Sequence, residues 1–204
     1  MLQNNDILDL WFGKDRLDYR SQLWWNGILR TDTLILNSIR ETDIYLTKRW
    51  GAILDELIKN PHFIKEWSKT VDDKMAILIL IDQFARNIYR GKPESFYFTN
   101  EYGRSLAEEI LREPNIPYTY TIFCYIAMMH TENLLTVIEA HLGLVNMVMD
   151  HPDHLIGGKI KLIASACEEH CKLLERFGRY PHRNTILGRH SIPKEVDYLS
   201  NKIG

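Results

Sequence analysis

Lys74-Met75-Ala76-Ile77-Leu78-Ile79-Leu80-Ile81-Asp82-Gln83-Phe84-Ala85-Arg86-Asn87-Ile88-Tyr89-Arg90 is the stretch on which the fold class of this chain turns. Its first half is apolar on every side, with neither alternation at two nor a glycine or proline inside it, the pattern of a helix buried all round. Tyr120 to Met149 reads the same way, since Thr121 to Met129 offers no polar face until His130. Outward from these two, apolar residues recur at three and four, and glycine and proline fall between the periodic stretches. The spacing predicts helices over about 3–12, 33–59, 62–69, 73–90, 95–112, 118–149, 159–177 and 193–202. Pro61, Pro93, Pro114, Pro117, Pro152, Pro181 and Pro193 lie at or near the joints, where a missing N–H costs least. Gly157-Gly158 reads as a further loop break. With no long linker, low-complexity segment or visible repeat, the expected fold is all-α, a single multi-helix domain over residues 1–204.

Composition narrows the function classes. The 204 residues are 45% hydrophobic and 25% charged, with five Trp, ten Tyr and seven Phe. A chain of this size buries roughly 70% of its unfolded surface, so no disulfide or metal is needed to support the core. A net charge of -2 excludes the strong positive field of a general nucleic-acid binder. The longest apolar runs, Met75 to Ile81 and Ile122 to Met129, fall far short of the ~20 residues of a membrane span. The opening MLQNNDILDLWFG lacks a basic n-region and a cleavage site. Three cysteines, Cys124, Cys167 and Cys171, are an odd number, so reduced thiols in a cytoplasmic setting are expected rather than a disulfide framework.

Four polar clusters carry candidate chemistry. In the first, the i, i+4 spacing sets Asp82 beneath Arg86 with Arg90 one turn on, and Gln83 and Asn87 form a neighbouring row. It reads either as a packing ion pair or as planar forks presented to a carboxylate or phosphate. In the second, His130 and Glu132 stand about 200° apart on a regular helix and cannot share a metal unless the helix breaks. The third, Cys167, His170 and Cys171, lies on one helical stripe and reads as a cysteine-lined core face more readily than a metal site. The fourth runs from Arg176-Phe177-Gly178-Arg179-Tyr180-Pro181-His182-Arg183-Asn184 to Gly188-Arg189. Gly178 is placed to stop a helix in the left-handed region, and Pro181 stiffens a turn that projects His182 and Arg183. These cations repel one another unless carboxylates or a bound anion compensate. Two readings follow, a clamp pairing with Asp82, Glu132 and Glu169, or an anion pocket with His182 as acid or base.

The assembled residues resemble an uncharacterised family called domain of unknown function 924. The likeness rests on Leu10-Trp11-Phe12-Gly13, Trp24-Trp25, Trp67, Leu80 to Gly91, His130-Thr131-Glu132, His170, Phe177 to Asn184 and Leu187-Gly188-Arg189. It implies an all-helical, tetratricopeptide-like domain with antiparallel helix packing, and no known reaction. The chain departs from the family pattern at Ala127-Met128-Met129, where Pro-Leu-Glu is usual, which removes an acidic group and weighs against a two-carboxylate mechanism. Ala85 replaces a usual Pro, and Ile192 stands where Thr often precedes Pro-Glu-Glu.

The resemblance turns four clusters into one expectation, convergence of His130, Glu132, His170 and His182 on Asp82, Arg86 and the arginine loop. The leading function is binding or turnover of a small anionic ligand, phosphorylated ones included. His130, His182 and Glu132 are the candidate catalytic groups. Asp82, Gln83, Arg86, Asn87, Arg90, His170, Arg179, Arg183, Asn184 and Arg189 are the candidate ligand contacts. No cofactor and no resident metal are assigned. The alternatives are a tetratricopeptide-like scaffold for a protein partner, with the polar cluster as an internal lock, and a metal enzyme using His130, Glu132, His170 and His182.

Overall fold

Thr70-Val71-Asp72-Asp73 starts the central helix with a capping box. Thr70 Oγ1 accepts from the Asp73 N–H and the Asp73 carboxylate accepts from the Thr70 N–H, which satisfies two otherwise orphaned donors. A computed structural model describes residues 4–14, 16, 36–150 and 156–201, and the side chains of 156 and 157 lie outside that description. Trp24-Trp25 and the first residues expected of the 33–59 helix fall outside the described residues.

The chain runs α1 (Asn4–Phe12), α2 (Ile39–Lys59), α3 (His62–Trp67) and α4 (Val71–Leu78), then a π-helical segment Ile79–Phe84 leading into α5 (Ala85–Ile88). A 3₁₀ turn Pro93–Phe96 and a second π segment Thr99–Gly103 precede α6 (Arg104–Leu111). Next come α7 (Tyr118–Met129), α8 (Leu134–Asp150), α9 (Ile156–Phe177), a 3₁₀ turn Pro181–Arg183 and α10 (Pro193–Asn201). No strand occurs among the described residues, so the fold is all-helical.

Burial follows the apolar stretches. Met75 through Ile81 are each no more than 1% exposed. Helices α1 and α6 and the π segment contact α4, while α7, α8 and α9 pack as successive neighbours. Trp11 and Phe12 of α1 meet Phe84, Tyr120 and Phe123 edge-on or tilted at ring separations of 5.1–5.5 Å. Such aromatic pairs add to the area they bury.

Four expectations need correction. The 73–90 helix is not regular, because the Ala85 N–H bonds the Leu80 carbonyl five residues back and widens the turn that carries Asp82. The 95–112 segment divides into 3₁₀, π and α pieces. The 118–149 helix breaks at 130–133, where Asn133 Oδ1 accepts from the Thr136 N–H at 3.0 Å and caps a new helix. The polar run His130-Thr131-Glu132-Asn133 interrupts the apolar pattern there, and the pattern resumes at Leu134. Finally, Gly157 and Gly158 lie in the first turn of α9 rather than in a loop.

One glycine is required by packing. A Cβ on Gly143 of α8 would lie 2.1 Å from Tyr125 Cζ of α7, whereas one on Gly158 meets nothing within 4 Å. In urea unfolding Gly143→Ala is expected to cost about 1–3 kcal/mol through overpacking, outweighing a helix-propensity gain of about 1 kcal/mol. Gly158→Ala is expected to stabilise by roughly 0.5 kcal/mol.

Candidate functional site

Asp82 is the buried carboxylate at the centre of the first cluster, only 2% exposed. The π segment sets it where three donors reach it: Arg86 Nε at 3.2 Å, Gln83 Nε2 at 2.5 Å and His130 Nδ1 at 2.9 and 3.0 Å. Burial alone would raise its pKa, but His130 and Arg86 outweigh that and hold it below the usual carboxylate range. An ionised carboxylate only accepts, so the bonded His130 nitrogen is Nδ1–H and the lone pair lies on Nε2. Nε2 has no hydrogen bond among the described residues. Burial and the neighbouring Arg86 push the pKa of His130 down despite the carboxylate, keeping it neutral.

Gln83, Arg86 and His130 of this cluster line a cleft of about 340 Å³. Gln83, Arg86, Asn87, Arg90 and His130 line it together with Phe123, Ile126, Met129, Leu162, Ile163 and Ala166. Arg86 also donates to Thr99 Oγ1 at 3.3 Å, and its guanidinium lies 5.3 Å from the Phe96 ring centre. Arg90, one turn beyond Arg86, also lines the cleft, and its fork bonds Asp43 of α2 at 2.7 and 3.0 Å. Asn87 bonds the Gln83 carbonyl at 2.8 Å.

At the helix break, His130 and Glu132 face different partners. Glu132 accepts both Arg189 Nη atoms, at 2.6 and 3.0 Å, and the Tyr180 N–H at 3.0 Å. Burial would raise Glu132, yet Arg189 and that N–H lower it. Tyr180 donates its hydroxyl to the Met129 carbonyl at 2.8 Å. The arginine loop is thereby latched onto the end of α7. Gly178 has φ +68°, as its helix-stopping role demands.

Most of the loop's cations find partners within the protein. Arg179 binds Glu195 at 2.7 and 2.9 Å and the His190 carbonyl at 2.8 Å. Asn184 bonds Glu195 and Ser191 at 3.1 and 3.0 Å. Arg179, Asn184 and Arg189, expected to contact a ligand, are therefore engaged by internal acceptors. The partner acids also differ from expectation, because Glu195 takes Arg179 while Glu169 pairs with Lys172 at 2.8 Å on the surface. Arg183, only 3% exposed, lies 4.4 Å from the Tyr180 ring centre and 4.7 Å from that of Phe96. His170 packs edge-on to Tyr180 at 4.8 Å, and exposed His182 stacks on the same ring at 5.6 Å. Glu132, His170, His182 and Arg183 thus gather beside the Asp82 cluster without lining the cleft itself.

No group of three or more His, Cys, Asp or Glu placed to hold a metal exists among the described residues. Cys124, Cys167 and Cys171 are buried free thiols, and burial raises the pKa of each, in keeping with a core face. Several contributors escaped sequence reading, namely Asp43, Phe96, Glu195 and the apolar wall. Only Glu195 carried a local signal, standing three residues after Ile192, whose N–H it accepts at 2.9 Å.

No curated protein matches the chain. It is similar to the solved structure of ATU0120, a protein of unknown function from Agrobacterium tumefaciens. The two share 23% identity with 97% of each chain covered and a TM-score of 0.70, a likeness that speaks to the fold alone. The Asp82 cluster, the helix break and the arginine loop all fall within residues 7–202, which match the family model of the bacterial proteins of unknown function DUF924, and the chain belongs to that family.

Proposed function

We propose that this protein binds a small amphipathic organic anion in the cleft between α5, α7 and α9, and that His130 is positioned to take a proton from it. The carrying observation is the Asp82-held His130 and Arg86 lining a cleft whose other lining includes six apolar side chains. A few polar groups facing a mostly apolar surface is the usual make-up of a small-molecule site. Arg86 supplies charge for a carboxylate or phosphate. Asp82 fixes the imidazole tautomer, so Nε2 is the basic nitrogen, the arrangement of a general base.

The internal-lock reading applies to a different part of the molecule. Arg179 with Glu195 and Arg189 with Glu132 are closed ion pairs that support a structural role for the C-terminal loop, whether or not a protein partner docks elsewhere. A metal enzyme using His130, Glu132, His170 and His182 is disfavoured, since Glu132 is engaged by Arg189 and Tyr180.

In a thermal-shift panel of organic phosphates and carboxylates, a fitting ligand at a hundredfold excess over Kd is expected to add about 2.7 kcal/mol of stability, raising Tm by roughly 5–10 °C. Ala166→Trp, which fills the cleft from α9 and leaves the Asp82 side chain, which does not line it, in place, should abolish the shift and leave the unliganded Tm nearly unchanged. A panel that moves neither protein sinks the reading. The lock has its own signature in acid. Arg179 and the Ile192 N–H hold Glu195 at about 2 against an ordinary 4.5, so its contribution is complete above pH 4.5 and lost as pH falls toward 2. Urea midpoints measured from pH 7 to 3 should fall more steeply for the native protein than for Glu195→Gln, which starts lower at pH 7.

A further inference from the structure

Arg183 differs from the other arginines of its loop. Arg179 and Arg189 each meet a carboxylate, and although Arg189 Nε lacks an acceptor, its other nitrogens are held by Glu132 and the Tyr180 carbonyl. Arg183 is 3% exposed, its Nε is buried without an acceptor, and its guanidinium makes no hydrogen bond or ion pair among the described residues. Its contacts are the faces of Tyr180 and Phe96. Because Arg86 also packs on Phe96, two guanidinium groups share one ring, and only Arg86 has a carboxylate. A buried cation in this state is costly unless something else supplies the acceptor.

Two imidazoles feel its charge, and one of them, His170, packs on the same Tyr180 ring that Arg183 faces. His130 commits Nδ1–H to Asp82, and His170, one turn beyond cleft-lining Ala166, commits Nδ1–H to the Ala166 carbonyl at 3.0 Å. Each therefore offers Nε2 as an acceptor. The charged and titratable groups around them are Asp82 and Arg86 from the π segment and α5, and Arg183 and His182 from the loop, with Glu132 and Tyr180 bordering Arg183. Burial, then His130 and Arg183, press His170 down to about 3. Arg183 is lowered to about 10 by burial and by Arg86.

Unsatisfied guanidinium donors beside acceptor nitrogens call for an oxyanion that also carries a proton. A metal cation is repelled by the arginines. A carboxylate or sulfate ester at neutral pH satisfies the arginines and has no hydrogen to give Nε2. A phosphate monoester does both, because its second pKa lies near 6 and one oxygen can hold a proton. Resting on the cleft reading above, we propose that Arg183 and His170, which border the Arg86 and His130 end of the cleft without lining it, form a subsite for the phosphate group of a monoester whose organic part lies on Phe123, Ile126 and Met129.

The test titrates the full protein with phenyl phosphate, phenyl sulfate and benzoate by calorimetry between pH 6 and 8. Phenyl phosphate is expected to bind at least about tenfold more tightly than phenyl sulfate. Its affinity should rise as pH falls from 8 toward 6, by up to about tenfold per unit where one proton is taken up, while phenyl sulfate stays nearly flat. Arg183→Met keeps a chain to pack on both rings, so it should remove the preference for phosphate while leaving Tm equal or higher. Arg183→Lys, with a charge but no planar fork, serves where the Met variant does not fold, and should lose most of the preference. His170→Gln should flatten the pH slope for phenyl phosphate. Three anions that bind alike, unaffected by Arg183, overturn the subsite and leave the cleft reading standing. Absence of phenyl phosphate binding at millimolar concentration also overturns it, and the cleft reading then stands or falls on the organic-anion panel.

Discussion

An ionised carboxylate buried at the end of the most apolar helix is the constraint on which this site depends. Asp82 is held below the ordinary carboxylate range and surrounded by Arg86, Gln83 and His130. A lone charge at that depth would be severely destabilising, so the surrounding donors are obligatory. The π segment meets the requirement by adding a residue to the turn, which aims Asp82 across to α7 while Arg86 still reaches it from one turn on. In satisfying Asp82, the protein also fixes the tautomer of His130 and sets a guanidinium beside it along a cleft.

The break between α7 and α8 serves the second half of the site. An unbroken helix would point His130 and Glu132 to nearly opposite sides with no close backbone approach between them. With Asn133 starting a new helix, the carbonyl of Met129 and the carboxylate of Glu132 become a dock for Tyr180 and Arg189. Glu195 completes the latch by holding Arg179, Asn184 and the Ile192 N–H together. Arg183 is left between two aromatic faces with its donors unmatched. The loop is therefore a lock at its rim and an unbalanced charge at its inner edge.

Much of the scaffold was legible because burial on every side leaves a direct mark on composition. The run from Met75 to Ile81 could only be an enclosed helix, and Gly178 announced its left-handed stop. The i, i+4 pairing of Asp82 with Arg86 was legible for the same local reason. The 118–149 break was not, although the polar run His130-Thr131-Glu132-Asn133 marks it, because apolar periodicity resumes at Leu134 and a short polar run also fits the exposed face of a continuous helix. Nor was the destination of Arg90, since Asp43 lies 47 residues away and local spacing carries no information about it.

The sequence by itself determined an all-helical chain with polar clusters at the ends of its buried helices, because periodicity and chain breakers act over a few residues. Only the tertiary structure decided which cation met which anion. That choice depends on distances between helices far apart in the chain, and on a one-residue change of turn that redirects Asp82. It is also what distinguishes the paired Arg179 and Arg189 from the unpaired Arg183, three arginines of one loop that look equivalent in the sequence.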